Sequence, residues 1–196
     1  PEDAGHLALS ADKLAYASGG QLYALTLADG SESLLHDFSY LPFPDFSLCW
    51  RSDGSALAYA VAWDEADGSR MVEVGTLDPS GRRVVDTLVG REAGPTPTRP
   101  APGQSGFANL AILAYSHVTG HIMVTPAGAE RRYDTLWGYR PEGSGGQEVF
   151  PSPPDDVQAL ATTPDATRLA LARPGQIEIW LLHTDAPREW VTLPPD

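Results

Sequence analysis

Three segments of this chain repeat one pattern of strands and turns, and this repetition constrains the fold more than any other feature. The segments are LSADKLAYASGGQLYALTL (9–27), RSDGSALAYAVAW (51–63) and TPDATRLALARPGQIEIWLL (163–182). Each has a turn that contains an Asp, followed by a short run that includes Leu-Ala-Tyr or Leu-Ala-Leu. Asp, Gly and Ser favour tight hairpin turns because they tolerate left-handed backbone or bond their own backbone. The pattern therefore predicts successive antiparallel hairpins.

Each hairpin is followed by two more strand-like segments. An alternating third strand is predicted at 22–27, 71–77 and 177–182, and short fourth strands are predicted at 83–88 and 189–193. The segment 107–150 has the same succession of strands and turns but lacks the Asp hairpin. Since no window has an apolar period near 3.6, we expect few helices. Four-stranded units repeated every roughly 40 to 50 residues predict an all-β fold, a β-propeller whose blades bury their faces against neighbouring blades.

We expect one domain over 1–196, with approximate blades at 6–36, 46–88, 107–150 and 157–193. Residues 89–106 form a Pro- and Gly-rich insertion between the second and third blades. Propellers typically have about four to eight blades, so three arrangements stay open. The chain is a half or partial propeller, it pairs with a second copy as a homodimer that completes an eight-bladed ring, or it closes alone as a four-bladed ring. We favour the first two over a four-bladed ring. An open half-ring would expose two apolar faces, and such faces promote association.

The repeat resembles a known family. WRSDGSALAY (50–59), and more loosely LSADKLAY (9–16) and TPDATRLAL (163–171), are similar to the WD40-like repeat of TolB-type bacterial propellers. The resemblance covers units one, two and four and is weak over 107–150. It implies a propeller fold and an extracytoplasmic, periplasmic or cell-surface location in a bacterium, with a cytoplasmic location as the alternative.

Composition narrows the classes of partner. The net charge of −13 argues against a nucleic-acid partner, because binding phosphates requires a basic surface. The longest apolar run, LAILAY (110–115), is far too short to cross a membrane, so we expect no direct membrane insertion. Cys49 is the single cysteine, which excludes an intrachain disulfide, and its apolar neighbours predict a buried, unreactive thiol.

No catalytic motif is evident, and we expect no enzyme activity, no metal and no cofactor. GQSGF (103–107) has the wrong spacing for a nucleophile elbow. His117 and His121 flank a tight turn and offer two metal ligands, but two do not make a site, and exposed histidines are the preferred interpretation. The carboxylates of WDEADGS (63–69) are interpreted as a solvated hairpin tip rather than a calcium loop.

The longest loops suggest where a partner binds. Loops at 36–46, 62–70 and 89–106 are predicted to surround the second blade on one face. Aromatic and arginine side chains are enriched at binding hot spots. The predicted partner-binding residues are Tyr40, Phe43, Trp63, Asp64, Arg91 and Arg99. In the alternative interpretation, Phe43 and Phe46 fill the gap between the first two blades and 89–106 is a spacer.

The sequence therefore predicts a non-enzymatic scaffold that binds a protein or peptide. Two alternatives remain. The chain is the regulatory or sensor outer domain of a larger membrane protein, or, less in keeping with the sequence, a metal-dependent hydrolase propeller with acids converging on its axis.

Overall fold

The described part of the chain consists of strands. A computed structural model describes residues 7–68, 70–90, 109–118, 120–127, 137–139, 148–149, 157–163, 165, 167–181 and 189–192. We call the four sheets blades 1 to 4. Blade 1 contains β1 (Leu7–Leu9), β2 (Lys13–Ser18), β3 (Gln21–Thr26) and β4 (Glu32–Asp37). Blade 2 contains β5 (Asp45–Trp50), β6 (Leu57–Asp64), β7 (Arg70–Leu77) and β8 (Arg83–Gly90).

Blades 3 and 4 follow in chain order. Blade 3 contains β9 (Asn109–Tyr115), β10 (Ile122–Ala127), β11 (Trp137–Tyr139) and β12 (Glu148–Val149). Blade 4 contains β13 (Ala159–Thr162), β14 (Arg168–Arg173), β15 (Gln176–Leu181) and β16 (Glu189–Thr192). Within each sheet, consecutive strands pair antiparallel in sequence order. Within the described ranges no residue is helical, and no helix there could span a membrane. The predicted all-β class with four-stranded blades is confirmed.

The repeated Asp residues close the first hairpin of their blades. In blade 2, the Asp53 carboxylate accepts hydrogen bonds from the backbone N–H of Ser55 at 3.0 Å and from its hydroxyl at 2.6 Å. In blade 4, Asp165 accepts from the hydroxyls of Thr163 at 2.6 Å and Thr167 at 2.9 Å. The hydrogen bonds from Thr163 and then Thr167 lower the pKa of Asp165 to about 2. These side chains hold the turn by bonding within it, as the sequence predicts.

Blade 3 closes the same hairpin without an Asp. The backbone N–H of Ser116 donates to the carbonyl of His121 at 2.9 Å, and that of Gly120 donates to the carbonyl of Ser116 at 3.0 Å. The Ser116 hydroxyl is buried and donates to the Asp165 carbonyl of blade 4 at 2.8 Å. A serine therefore serves both the turn of blade 3 and the contact with the next blade.

The apolar core lies between consecutive blades. Three clusters of buried residues join blade 1 to blade 2, blade 2 to blade 3 and blade 3 to blade 4. The first strands of consecutive blades, β1, β5, β9 and β13, contact one another in that order. Each blade is thus stabilised by its neighbours rather than by a core of its own, as expected of a propeller.

Candidate functional site

The connection from blade 1 to blade 2, residues 38–44, is held by a buried aromatic side chain. Phe38 is fully buried, and its ring centroid lies 5.7 Å from that of Phe46 and 5.3 Å from that of Tyr59. Its backbone N–H donates to the Gly20 carbonyl at 2.9 Å, while the N–H of Leu41 donates back to the Phe38 carbonyl at 2.8 Å. We call residues 38–44 the aromatic loop. Its start is fixed to both blades that it joins.

Two aromatic side chains of this loop lie in solvent. Tyr40 is 66% exposed and Phe43 is 96% exposed. Phe43 also has a positive φ of 47°, which a bulky residue rarely adopts. The alternative in which Phe43 fills the gap between the blades is therefore wrong, and Phe38 and Phe46 fill it instead. Strained backbone of this kind is common at binding sites.

The end of β6 lies beside the aromatic loop. Asp45, which follows the loop, pairs with Ala62, so Trp63 and Asp64 extend past the start of β5. Asp64 is exposed, whereas Trp63 is only 7% exposed and its indole N–H donates to Glu65 at 2.8 Å. The structure thus brings Asp64 to the surface next to the loop and places Trp63 in the core between blades 1 and 2.

The two arginines in the predicted binding set cannot be placed. Arg91 and Arg99 lie outside the described residues, as does the whole segment 91–108. The exposed set that the structure brings together therefore consists of Tyr40, Phe43 and Asp64. The carboxylates of Glu65 and Asp67, also exposed, lie at the tip of the same β6–β7 hairpin.

A buried polar network lies beneath the aromatic loop, and sequence reasoning missed it. The Tyr59 hydroxyl donates to a Glu73 carboxylate oxygen at 2.6 Å, and the Arg83 Nε donates to the Tyr59 oxygen at 2.8 Å. Arg83 also pairs with the other oxygen of Glu73 and stacks over the Phe38 ring, with its guanidinium carbon 5.2 Å from the centroid. The network therefore supports the residue that holds the loop.

Burial and charge shape the protonation of this network. Burial, followed by the hydrogen bond to Glu73, raises the pKa of Tyr59 above its ordinary value. Burial alone would lower the pKa of Arg83, but its hydrogen bonds to Glu73 and Tyr59 raise it. Tyr59 thus stays a neutral donor and Arg83 stays a cation. The sequence does contain one indication of this network, which is Glu73 in the mostly apolar strand MVEVGTL (71–77). A charge on a buried strand needs a partner.

Gly75 makes room for this network. A Cβ at this position would lie 2.5 Å from the Tyr59 hydroxyl oxygen and 2.8 Å from the Val84 carbonyl. Any side chain here would push the Tyr59 ring away from Glu73. Glycine is required at Gly75 for close approach rather than for backbone freedom.

The two histidines do not form a joint site. His117 is exposed, and its Nδ1 lies 2.7 Å from the Ser52 hydroxyl of blade 2. His121 is buried, so the prediction of two exposed histidines is wrong for it, because it directly precedes β10, which packs into the interior. Over the ranges that the structure describes, no three potential ligands among His, Cys, Asp and Glu lie close enough to hold a metal ion.

Cys49 is half-buried and forms no disulfide. Burial raises the pKa of its thiol to about 11, which keeps it protonated near neutral pH and therefore a poor nucleophile. Its small side chain packs against the cluster between blades 2 and 3.

Comparison with known proteins shows the fold. No family model matches the sequence, and no curated protein matches it. Among solved structures, the chain is similar to an oligogalacturonate lyase in complex with manganese, with a TM-score of 0.62 and 14% identity over 94% of this chain and 51% of that one. It is also similar to a chain of the mitotic checkpoint complex, with a TM-score of 0.58 and 17% identity over 96% of this chain and 49% of that one.

A third similar structure is the WD40 domain of SCAP from fission yeast. Its TM-score is 0.53 and its identity 17%, over 100% of this chain and 46% of that one. The chain thus spans about half the length of the structures it matches. At these identities the likeness concerns the fold alone, and that fold is a partial propeller similar to WD40 and other propeller structures.

Proposed function

We propose that this chain is a non-enzymatic scaffold that binds a protein or peptide through Tyr40 and Phe43 of the aromatic loop. The observation that carries the proposal is Phe43, a large apolar side chain that is 96% exposed on a loop fixed at its start. Exposed apolar patches mark interaction sites, and Phe43 shares its loop with the exposed Tyr40. A loop that is already ordered loses little entropy on binding.

The surroundings of the loop favour one kind of partner. Asp37 at the end of β4 and Asp64 at the end of β6 are exposed on either side of it. The chain as a whole carries a net charge of −13. A segment with an apolar anchor flanked by basic side chains matches this surface, because complementary charge steers association and fixes register.

A cell-envelope location is part of this proposal and rests on the likeness of WRSDGSALAY (50–59) to TolB-type repeats. Protein binding is supported at the level of the fold, since the similar structures include WD40 propellers. Others among them are a lyase and peptidases, so absence of enzyme activity is a separate element of the proposal.

The binding site is tested with a displayed library of random peptides selected on the wild-type chain. Selected peptides are then titrated by fluorescence anisotropy against wild type, Phe43→Ala, Tyr40→Ala and the control Val118→Ala. Val118 is also an exposed apolar residue, but it lies in the β9–β10 hairpin, away from the loop. We expect Phe43→Ala to weaken binding at least about tenfold, as at a hot spot.

The proposed site is wrong if the selected peptides bind the Phe43 and Tyr40 variants as tightly as wild type. Titration with Mn²⁺ alone in a calorimeter tests the non-enzymatic element. We expect no heat beyond dilution, and stoichiometric binding would favour the hydrolase alternative.

A further inference from the structure

The blades share a two-sided pattern of side-chain size. In blade 2, alternate residues of β6 face opposite sides of the sheet. The small ones pack in the cluster shared with blade 3 and are Ala58, Ala60 and Ala62. The large ones pack in the cluster shared with blade 1 and are Leu57, Tyr59, Val61 and Trp63. Blade 2 therefore presents a small-residue face to the blade after it and a large-residue face to the blade before it.

The same arrangement joins the other blades. Blade 1 contributes small residues to its contact with blade 2, including Ala8, Ala15, Ala17 and Ala24. Trp50 of blade 2 donates its indole N–H to the Ala8 carbonyl at 3.1 Å across this contact. Between blades 3 and 4, the large residues Leu169, Leu171 and Trp180 of blade 4 pack with Ala114 and Met123 of blade 3. In each contact, large side chains of the later blade thus pack on a face of the preceding blade that carries alanines, with Leu22 beside them in blade 1 and Met123 in blade 3.

Among the described residues, no blade lies against the large face of blade 1. Leu7 is 59% exposed and Leu9 is 69% exposed, whereas Leu48 and Trp50 on the first strand of blade 2 are buried. Pairing continues this face across the sheet to Tyr16 and Tyr23, whose rings stack with centroids 5.3 Å apart. These exposures also exclude a ring in which blade 4 of the same chain covers this face.

The small face of blade 4 is open in the same way. Ala161, Ala170 and Ile179 are cross-strand partners and therefore share a face, and none of the three is buried. Ala8, Ala15 and Ala24 are partners in the same positions of blade 1, where they receive blade 2. The face at one end of the molecule thus has the form that accepts a large face, and the opposite end presents a large face.

We propose that a second copy of this chain covers both faces, with blade 1 of each copy packed on blade 4 of the other. The three contacts between blades within the chain have this arrangement, and the contact of blade 1 with blade 4 of the other copy would repeat it. The chain spans 51% and 49% of two structures that it matches, so two copies together have about the length of one of those chains. Two identical contacts related by a two-fold axis leave no open face, and the assembly stops at two copies.

The internal contacts also predict the register of the new one. Leu9 pairs with Leu14 as Trp50 pairs with Leu57, so Leu9 holds the position of Trp50 in its blade. Ala161 corresponds to Ala8 by the pairing given above. Because Trp50 contacts Ala8, we expect Leu9 of one copy to lie against Ala161 of the other.

Light scattering on a sizing column tests the assembly. We expect the wild-type chain to have twice the mass of 20.9 kDa. Leu9→Arg and Ala161→Glu should each reduce the mass to that of one chain, because each places a charge in both contacts. Both positions are exposed in the single chain, so the variants should keep their circular dichroism. Val118→Arg, on an exposed hairpin away from both faces, should keep the doubled mass.

Mixing the two variants tests the register. A mixed pair has one native contact and one in which the introduced arginine faces the introduced glutamate, so the doubled mass should return. The proposal is overturned by a single-chain mass for wild type at every concentration, by a mass above two chains, or by variants that all keep the wild-type mass. The doubled mass should return on mixing at low salt. If it does not return there, Leu9 of one copy does not lie against Ala161 of the other.

Discussion

Blades 1 and 2 carry a tyrosine at the same place in the same motif, and the two side chains have different environments. Tyr16 in Leu-Ala-Tyr of β2 is partly exposed and bonds Glu32 on the fourth strand of its blade. Tyr59 in Leu-Ala-Tyr of β6 is fully buried and bonds both Glu73 and Arg83. The hydrogen bond to Glu32 raises the pKa of Tyr16 to about 12. An identical local sequence thus gives a surface group in one blade and a core group in the next.

The difference comes from what lies against each large face. Blade 1 covers the large face of blade 2, and Phe38 from the aromatic loop closes over it. The large face of blade 1 meets solvent in the single chain, where its Tyr16–Tyr23 stack remains accessible. Burial therefore turns a weak surface hydrogen bond into part of a network whose loss is costly.

The largest effect is expected from Arg83→Met. This change keeps the packing of the side-chain stem but leaves the buried Glu73 carboxylate without its cation. Breaking a buried pair from one side costs about 3–5 kcal/mol of unfolding free energy. The control is Lys13→Met, which removes the cation 3.8 Å from the carboxylate of Asp12, a carboxylate that is itself exposed, and should cost less than about 1 kcal/mol. Urea unfolding measures both losses of unfolding free energy. Equal losses would mean that the difference in burial between the two ion pairs has no effect on their contribution to stability.

An intermediate effect is expected from Tyr59→Phe compared with Tyr16→Phe. Loss of the Tyr59 hydroxyl leaves Glu73 and the Arg83 Nε each short of a partner in the interior, at a cost of about 1–3 kcal/mol. Glu32 is exposed already, so water replaces the lost Tyr16 hydroxyl, and stability should change by less than about 0.5 kcal/mol. Thermal unfolding of the two variants tests this order, and a larger loss for Tyr16→Phe would reverse the comparison.

The smallest effect concerns the hairpins of the two blades. Burial alone would raise the pKa of Asp53, but the hydrogen bonds from Ser55 and the charge of Arg51 lower it. A lowered folded-state pKa adds stability above the unfolded value of about 3.9, and this stability is lost as pH falls through the folded value. We expect Asp53→Asn to lower the free energy of unfolding at pH near 7. The difference from wild type should disappear in acid, where Asp53 of the wild type is protonated.

Asp12→Asn is the matched variant for this comparison. Asp12 accepts a side-chain hydrogen bond from Ser10 at 3.1 Å, whereas Asp53 accepts two bonds from Ser55. The Asp12 variant should therefore lose less stability at neutral pH. A deficit for Asp53→Asn that persists unchanged in acid would show that charge is not its cause.

Much of the fold was predictable because its signals are local. The Asp turns, the alternation of the strands and the repeat spacing predict four four-stranded blades, and the structure confirms that class. In blade 3, the hairpin lacks an Asp, and the Ser116 hydroxyl takes its place by accepting the Val118 N–H at 3.2 Å. The same hydroxyl also donates to the Asp165 carbonyl of blade 4, a contact that no local pattern contains. The location of His121 in the interior was missed for the same reason.

The candidate site was predictable only in part. The sequence indicates an aromatic-rich loop after blade 1, but it does not separate Phe38, which is buried, from Phe43, which is exposed. Trp63 was also predicted to bind a partner because it is aromatic, but it lies in the core. Aromatic residues occur both at hot spots and in cores, so residue type alone does not assign them to either.

The sequence by itself determined the strands, the turns and the alternation of small and large side chains, because each depends on hydrogen bonds and geometry within a few residues. The tertiary structure alone decided which of two equivalent tyrosines is buried, which phenylalanine holds the loop, and which two faces remain open. Those outcomes depend on the blade that lies against each face. A neighbouring blade is distant in sequence, and its contact is fixed only when the sheets pack together.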